Sequence, residues 1–203
     1  MNDATARDTG RLALAVGAVA AGSAICLATF YTVQGPFGTM NDFGNAATGL
    51  LSAALAWRLR RQIRSGVRRA AVGVAIAGAA LAVVGSTLVV SGTTGFFLAG
   101  LVSSVGFAGI GAWLMVLNRS AGETAGWPRG LRTLGVVTGA LMAFGLASAP
   151  GILLRLDDMA TAPAWVWIGF VGWFGTFLVY PAWAIWLSAV EARHANRAVS
   201  VPA

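Results

Sequence analysis

The sequence predicts an all-α integral membrane protein, a single bundle of six transmembrane helices with the N-terminus and the C-terminus both cytoplasmic. Two observations predict this fold: long apolar runs separated by short polar segments, and basic residues confined to alternate connections. Only 10% of the side chains are charged and 57% are apolar, whereas a soluble domain carries about 25% charged residues. The apolar excess is therefore expected to face lipid.

Six apolar runs match the roughly 17 to 25 helical residues that cross the hydrocarbon core. They form one membrane domain over residues 1–203, with approximate bounds 12–33, 43–59, 72–90, 96–117, 131–150 and 164–190. The first run is longer than a signal-peptide core, so it is interpreted as a retained span. Residues 151–162 form either an interfacial helix or a re-entrant segment, and both alternatives remain open at this point.

The placement of arginine predicts the orientation. All 14 strongly basic residues are Arg, and basic residues in short loops resist translocation across the membrane. Six of them lie between Arg58 and Arg69, where they can contact anionic headgroups. With the N-terminus inside, only Arg155 falls on the outer side. The arginines are thus interpreted as topology signals, and nucleic acid is not an expected partner.

Small residues at four-residue spacing predict where helices pack closely in lipid. These stretches are Gly135, Gly139 and Ala143 in the fifth run, Gly100, Ser104, Ala108 and Ala112 in the fourth, and Ala18, Gly22 and Cys26 in the first. Tryptophans predict the span ends, because amphipathic rings favour the headgroup level. Those assigned to the cytoplasmic ends are Trp57, Trp127, Trp183 and Trp186.

Missing residue types exclude several kinds of catalytic and cofactor site. Without Lys, the chain forms no Schiff base with retinal or pyridoxal phosphate and has no phosphate-loop lysine. His194 is the only His and Cys26 the only Cys, which excludes a pair of haem-binding histidines and a zinc site of the usual ligands. The sequence predicts no cofactor and no metal centre, and it does not favour an enzyme.

Polar residues near the predicted outer face form the one candidate site. They are Asn41, Asp42 and Asn45 around the start of the second run, and Arg155, Asp157 and Asp158 after the fifth. If the helices adjoin, these carboxylates and amides suit a hard cation or a cationic solute, since oxygen ligands match such charges. The alternative is that Asn41 or Asp42 caps the second helix, while the later carboxylates face water beside Arg155.

The sixth run, which Pro181 interrupts, contains an aromatic stripe. Phe170, Trp173, Phe177 and Tyr180 share one face at helical spacing. Such a stripe can stack a lipid, a quinone or an aromatic ligand. It can equally be core packing or a lipid-facing belt.

Two short segments, GPFGTMND at residues 35–42 and YPAWAIWL at residues 180–187, resemble small multi-pass bacterial membrane proteins. Together they cover under a tenth of the chain. The resemblance implies a bacterial cytoplasmic membrane location, and it brings no activity or functional residue with it.

The function expected from these observations is noncatalytic: an accessory or structural subunit of a membrane assembly, or a lipid-binding protein. This expectation rests on the short loops and on the lack of a catalytic constellation. The alternative is a small transporter or permease for a cation or a small solute. Expected partners are membrane lipids and another membrane protein subunit or a second copy of the chain.

Overall fold

The computed structural model describes the backbone of residues 3–199, and the side chains of all of these except residues 3, 4, 122–124 and 197–199. Within that range the chain is all-helical and has no strand. The α-helices are α1 (Asp3–Val33), α2 (Phe37–Leu59), α3 (Ser65–Val90), α4 (Phe96–Thr124), α5 (Arg129–Ala143), α6 (Ala149–Leu153), α7 (Trp167–Phe174) and α8 (Tyr180–Val199). Short 3-10 turns lie at Arg60–Gln62, Phe144–Ser148, Met159–Thr161 and Ala164–Val166, and a π-helical turn lies at Gly175–Val179.

Five helical segments of the described chain are long and apolar enough to cross a membrane, which confirms the predicted fold class in part. They are Thr5–Val33, Ser65–Val90, Phe96–Ala121, Arg129–Leu153 and Ala164–Asn196. α2 is 23 residues long, but it does not reach the same hydropathy. The reason is a row of polar side chains along its inner face.

Consecutive long helices run antiparallel, and the two described chain ends lie at one end of the bundle, here called the termini end. α1 packs along α8: a Cβ added at Gly10 would lie 3.4 Å from Glu191 Cβ, and one added at Gly17 would lie 3.1 Å from the Pro181 carbonyl oxygen. α4 lies at the centre, in contact with α2, α3, α5 and α7. Among the arginines, Arg155 alone belongs to a connection at the opposite end.

α2 begins at Phe37, six residues before the predicted boundary. Pro36 precedes it with a φ of −75°, a value suited to the start of a helix. Asn41 and Asp42 therefore lie inside the helix. The alternative that one of them caps α2 is wrong, because no side chain caps this helix.

The fifth and sixth runs are less regular than predicted. Residues Phe144–Ser148 tighten to a 3-10 helix before α6, and residues 154–163 then cross the opposite end as a loop with one further 3-10 turn. In the sixth run the helix continues past Pro181, preceded by the π-helical turn Gly175–Val179. Proline has no N–H to donate to the carbonyl four residues back. The wider turn accommodates this missing hydrogen bond and the proline ring.

The small-residue packing predicted for the fourth and fifth runs is confirmed. In the fifth run, a Cβ added at Gly139 would overlap the Gly111 carbonyl oxygen; in the fourth, Ser104 and Ala108 lie against Gly145, since a Cβ added there would overlap the Ser104 carbonyl oxygen and lie 3.4 Å from Ala108 Cβ. The prediction for the first run is wrong: Ala18 and Gly22 are exposed, and an added Cβ at Gly22 meets nothing within 4 Å. α1 packs instead through a neighbouring face that includes Val16.

The tryptophan assignments divide into two groups. Trp57 and Trp186 are exposed, as a membrane belt requires. Trp127 and Trp183 are buried in the core, where their indole N–H groups donate to Glu191 and Asn118. These buried partners explain why the two rings are not at the surface, since an indole N–H needs an acceptor when it leaves water.

Gly139→Ala is expected to destabilise the protein by roughly 1–3 kcal/mol, because the new methyl group overlaps the α4 backbone. The measurement is denaturant or thermal unfolding in mild detergent. Gly73→Ala is the matched control, since nothing lies within 4 Å of its added Cβ. Equal stability of the two variants would contradict the close contact between α4 and α5.

Candidate functional site

A narrow cleft lies in the half of the bundle away from the termini end, between α1, α2, α4 and α7 with its following π turn. Its volume is about 30 Å³, which suffices for two or three waters at roughly 10–15 Å³ each. It is lined by Leu27, Asn41, Asp42, Asn45, Phe96, Gly100, Ser103, Ser104, Phe107, Gly172, Trp173, Thr176 and Phe177. One carboxylate, two amides and three hydroxyl groups thus face aromatic rings in a small space.

The polar wall of the cleft comes from α2. Asn41 and Asn45 are four residues apart, so they lie on one face of the helix, and they are only 2% and 8% exposed. Thr48 and Ser52 continue the same buried face toward the termini end. Because these side chains point into the bundle, the helix presents polar groups to its neighbours and apolar groups to the outside.

Ser23 of α1 fixes the two amides. Its hydroxyl oxygen lies 2.9 Å from Asn41 Oδ1 and 3.1 Å from Asn45 Oδ1, and it donates to one acceptor at a time. The helices approach closely here, since a Cβ added at Gly44 would lie 2.7 Å from Ser23 Cβ. The amide side chains are therefore held in place before any ligand arrives.

Asp42 is the unusual member of this wall. It is 8% exposed, and it makes no hydrogen bond or ion pair with any described residue. Its carboxylate oxygens are not fully enclosed by protein atoms, so they border the space of the cleft, and a carboxylate in so confined a space carries a free-energy cost unless a partner compensates its charge. Buried acidic residues in membrane proteins are therefore functional candidates by default. Asp42 borders the cleft, so a cation in the cleft would be the missing partner.

The opposite wall comes from α4 and α7. Trp173 donates from Nε1 to the Ser104 hydroxyl oxygen at 2.7 Å, and Ser104 in turn donates to the Gly100 carbonyl at 2.8 Å. A Cβ added at Gly100 would lie 3.5 Å from the Trp173 ring. The indole is thus locked against α4, with its ring forming one side of the cleft.

The predicted aromatic stripe is interrupted in the structure. Phe170, Trp173 and Phe177 follow one another at centroid distances of 4.4 and 6.1 Å. Tyr180 does not line the cleft: it stacks on Trp183 at 5.9 Å, and its hydroxyl lies 2.8 Å from Ser52 Oγ. The π turn between Phe177 and Tyr180 alters the helical spacing on which the prediction relied.

The other predicted site residues lie away from the cleft. Asp157 accepts hydrogen bonds from the Gly95 and Leu98 backbone N–H groups at 2.6 and 3.1 Å, so it caps α4. Asp158 accepts from the Ala160 N–H at 2.9 Å. Arg155 has a φ of +52° at the end of the α6 turn. The structure brings Asn41, Asp42 and Asn45 together at the cleft. Arg155, Asp157 and Asp158 lie elsewhere.

Below the cleft, buried polar groups continue to the termini end. Ser52 and Tyr180 share a hydrogen bond in the middle of the bundle. Trp183 then donates to Asn118 at 3.3 Å, and Trp127 donates to Glu191 at 2.9 Å. In the sequence, the members of this series appear only as single residues within or beside apolar runs. Trp113, Trp127 and Trp183 pack edge to face and close the bundle on this side.

Sequence reasoning missed the α4 and α7 side of the cleft. Ser103 and Ser104 form the only adjacent pair of serines in the chain, inside an apolar run, and Thr176 stands alone among aromatic residues. These polar residues inside apolar runs were the one sign of this wall in the sequence. Whether they face the same cleft depends on which helices are neighbours, and periodicity alone does not determine that.

Comparisons with protein-family models, with curated proteins and with solved structures find no match for this chain.

Asp157→Ala is expected to lower the stability by about 1 kcal/mol, the usual effect of removing a helix N-cap, without altering the cleft. The measurement is the thermal unfolding midpoint in detergent. Asp8→Ala is the control, because Asp8 is half exposed and makes a surface ion pair with Arg58. An unchanged midpoint for Asp157→Ala would show that the cap contributes nothing.

Proposed function

We propose that this protein is a small transporter or permease for a monovalent cation or a small cationic solute, with the cleft as its binding site. The observation that carries the proposal is the burial of Asp42 without a partner. The accessory or structural role expected from the sequence accounts for the apolar surface. It does not account for an uncompensated carboxylate inside the bundle.

The chemistry of the lining favours a single positive charge. Asp42 is the one acidic residue among the described lining residues, whereas divalent cations take six or more oxygen ligands, commonly with several carboxylates. Amide and hydroxyl oxygens can complete the shell of a monovalent ion. Trp173 and Phe177 offer ring faces, which attract ammonium or guanidinium groups. The small volume restricts the solute to a few heavy atoms.

The proposal includes α2 as a sixth span, with both termini in the cytoplasm of a bacterial cell. At about 1.5 Å per residue, a helix of 23 residues is about as long as the hydrocarbon core is thick. The concentration of arginine at the termini end supports the cytoplasmic assignment of that end. The cleft then faces the outside.

Transport requires a route past the aromatic cluster of Trp113, Trp127 and Trp183. Ser52 and Tyr180 supply hydroxyl groups between the cleft and this cluster. The π turn Gly175–Val179 lies beside the cleft and ends two residues before Pro181. π turns inside α-helices are frequently found at functional sites. A bend there would move α8 relative to α7 and separate the rings.

Asp42→Asn is expected to reduce transport at least about tenfold, because the only charge in the cleft is lost while the side-chain shape is kept. The protein is reconstituted into liposomes with a negative internal potential. Uptake of labelled sodium, methylammonium and guanidinium is measured. Asp158→Asn is the control, since Asp158 serves only a short loop turn.

Two results would overturn the proposal. The first is uptake by the wild type no faster than in empty liposomes for all three probes. The second is equal uptake by wild type and Asp42→Asn. A second polypeptide that copurifies in a fixed ratio, together with either result, would favour the accessory role.

A further inference from the structure

A second groove lies at the termini end, on the outer surface of α5, and it has a different chemistry from the cleft. Its volume is about 310 Å³. It is lined by Asn118, Arg119, Arg129, Arg132, Thr133, Val136 and Val137. None of these lining residues is acidic. Three arginines therefore concentrate positive charge on one side of the bundle.

These arginines have no described partner. Arg119, Arg129 and Arg132 make no hydrogen bond or ion pair with any residue whose side chain the structure describes, and the Nε atom of Arg132 is buried without an acceptor. Two arginines at this end are engaged elsewhere: Arg60 lies 4.2 Å from the Trp57 ring centroid, and Arg68 donates to the Ile63 carbonyl. Arg119 and Arg129 are exposed, so their guanidinium groups can donate hydrogen bonds to an anion in this groove.

The start of α5 adds to the same potential. The helix begins at Arg129 after Pro128, and no side chain caps it. The first N–H groups of a helix carry a partial positive charge and attract phosphate groups. The arginines and the helix end thus favour the same ligand chemistry at the same place.

The groove becomes apolar farther along α5. Val136 and Val137 follow Arg129 by about two helical turns, roughly 10–12 Å, and Val137 is 47% exposed. Trp186 of α8 flanks the start of α5, since a Cβ added at Gly130 would lie 2.9 Å from its ring. A ligand that fills this groove needs an anionic end beside the arginines and a hydrocarbon part over the valines.

We propose that this groove binds an anionic phospholipid of the leaflet at the termini end. Its phosphodiester accepts hydrogen bonds from Arg129 and Arg132, with Arg119 nearby, and one acyl chain lies over Val137. The planar guanidinium pairs with phosphate through two hydrogen bonds. A free phosphate would use the arginines but leave the apolar part of the groove empty. The inference does not depend on the transport proposed for the cleft.

The test is native mass spectrometry of delipidated protein in detergent, titrated with phosphatidylglycerol or with phosphatidylcholine of the same acyl chains. Wild type is expected to retain phosphatidylglycerol preferentially. The double variant Arg129→Gln with Arg132→Gln is expected to bind it at least about tenfold more weakly. The double variant Arg61→Gln with Arg69→Gln removes the same charge from the same end outside the groove, and its binding is expected to change less than twofold.

A second measurement uses the wild type and so does not depend on whether the groove variant folds. The thermal midpoint of the wild type is expected to rise with phosphatidylglycerol and not with phosphatidylcholine or millimolar inorganic phosphate. Equal phosphatidylglycerol binding by the two double variants would overturn the proposal. So would a midpoint shift with inorganic phosphate that matches the shift with the lipid, since the source of the anion would then not be the membrane.

Discussion

The polar inner face of α2 is the constraint on which the rest of the bundle depends. Amide and hydroxyl groups inside an apolar bundle need partners, because leaving them unpaired there costs free energy. Ser23 of α1 serves Asn41 and Asn45, and Tyr180 of α8 bonds to Ser52. These contacts fix the rotation of α2 about its axis, and they turn Asp42 toward the cleft, where no protein group compensates it.

The packing of α4 connects that constraint to the opposite wall of the cleft. Close backbone contacts bring α4 against α3 at Gly106 and against α5 at Gly111. Two sides of α4 are thus in contact with the backbones of α3 and α5. The side that faces α7 presents Gly100 and Ser104 to Trp173. A bulky residue at any of these positions would push a neighbouring helix outward. The shape of the cleft therefore depends on these small residues as much as on the side chains that line it.

The sequence predicted the helical fold, the small-residue packing faces of α4 and α5, and three neighbouring residues of the cleft, because apolar length and local spacing are properties of one segment. It failed where the outcome depends on another segment. Asp157 could not be assigned to the cap of α4 before the loop was known to cross that helix end. Trp127 and Trp183 were expected at the headgroup level of the span ends, and their burial could not be predicted because their acceptors, Glu191 and Asn118, lie far away in sequence.

The segments that join helices at the end away from the termini are short: residues 34–36, 91–95 and 154–163. Together they contain one arginine, Arg155. In the proposed orientation, the basic charge that must cross the hydrophobic barrier during biogenesis is therefore small. The turn between α3 and α4, Ser91 to Gly95, is uncharged, so this hairpin could enter the bilayer preformed. The arginine-rich side, in the same proposed orientation, stays in the compartment where the chain is synthesised.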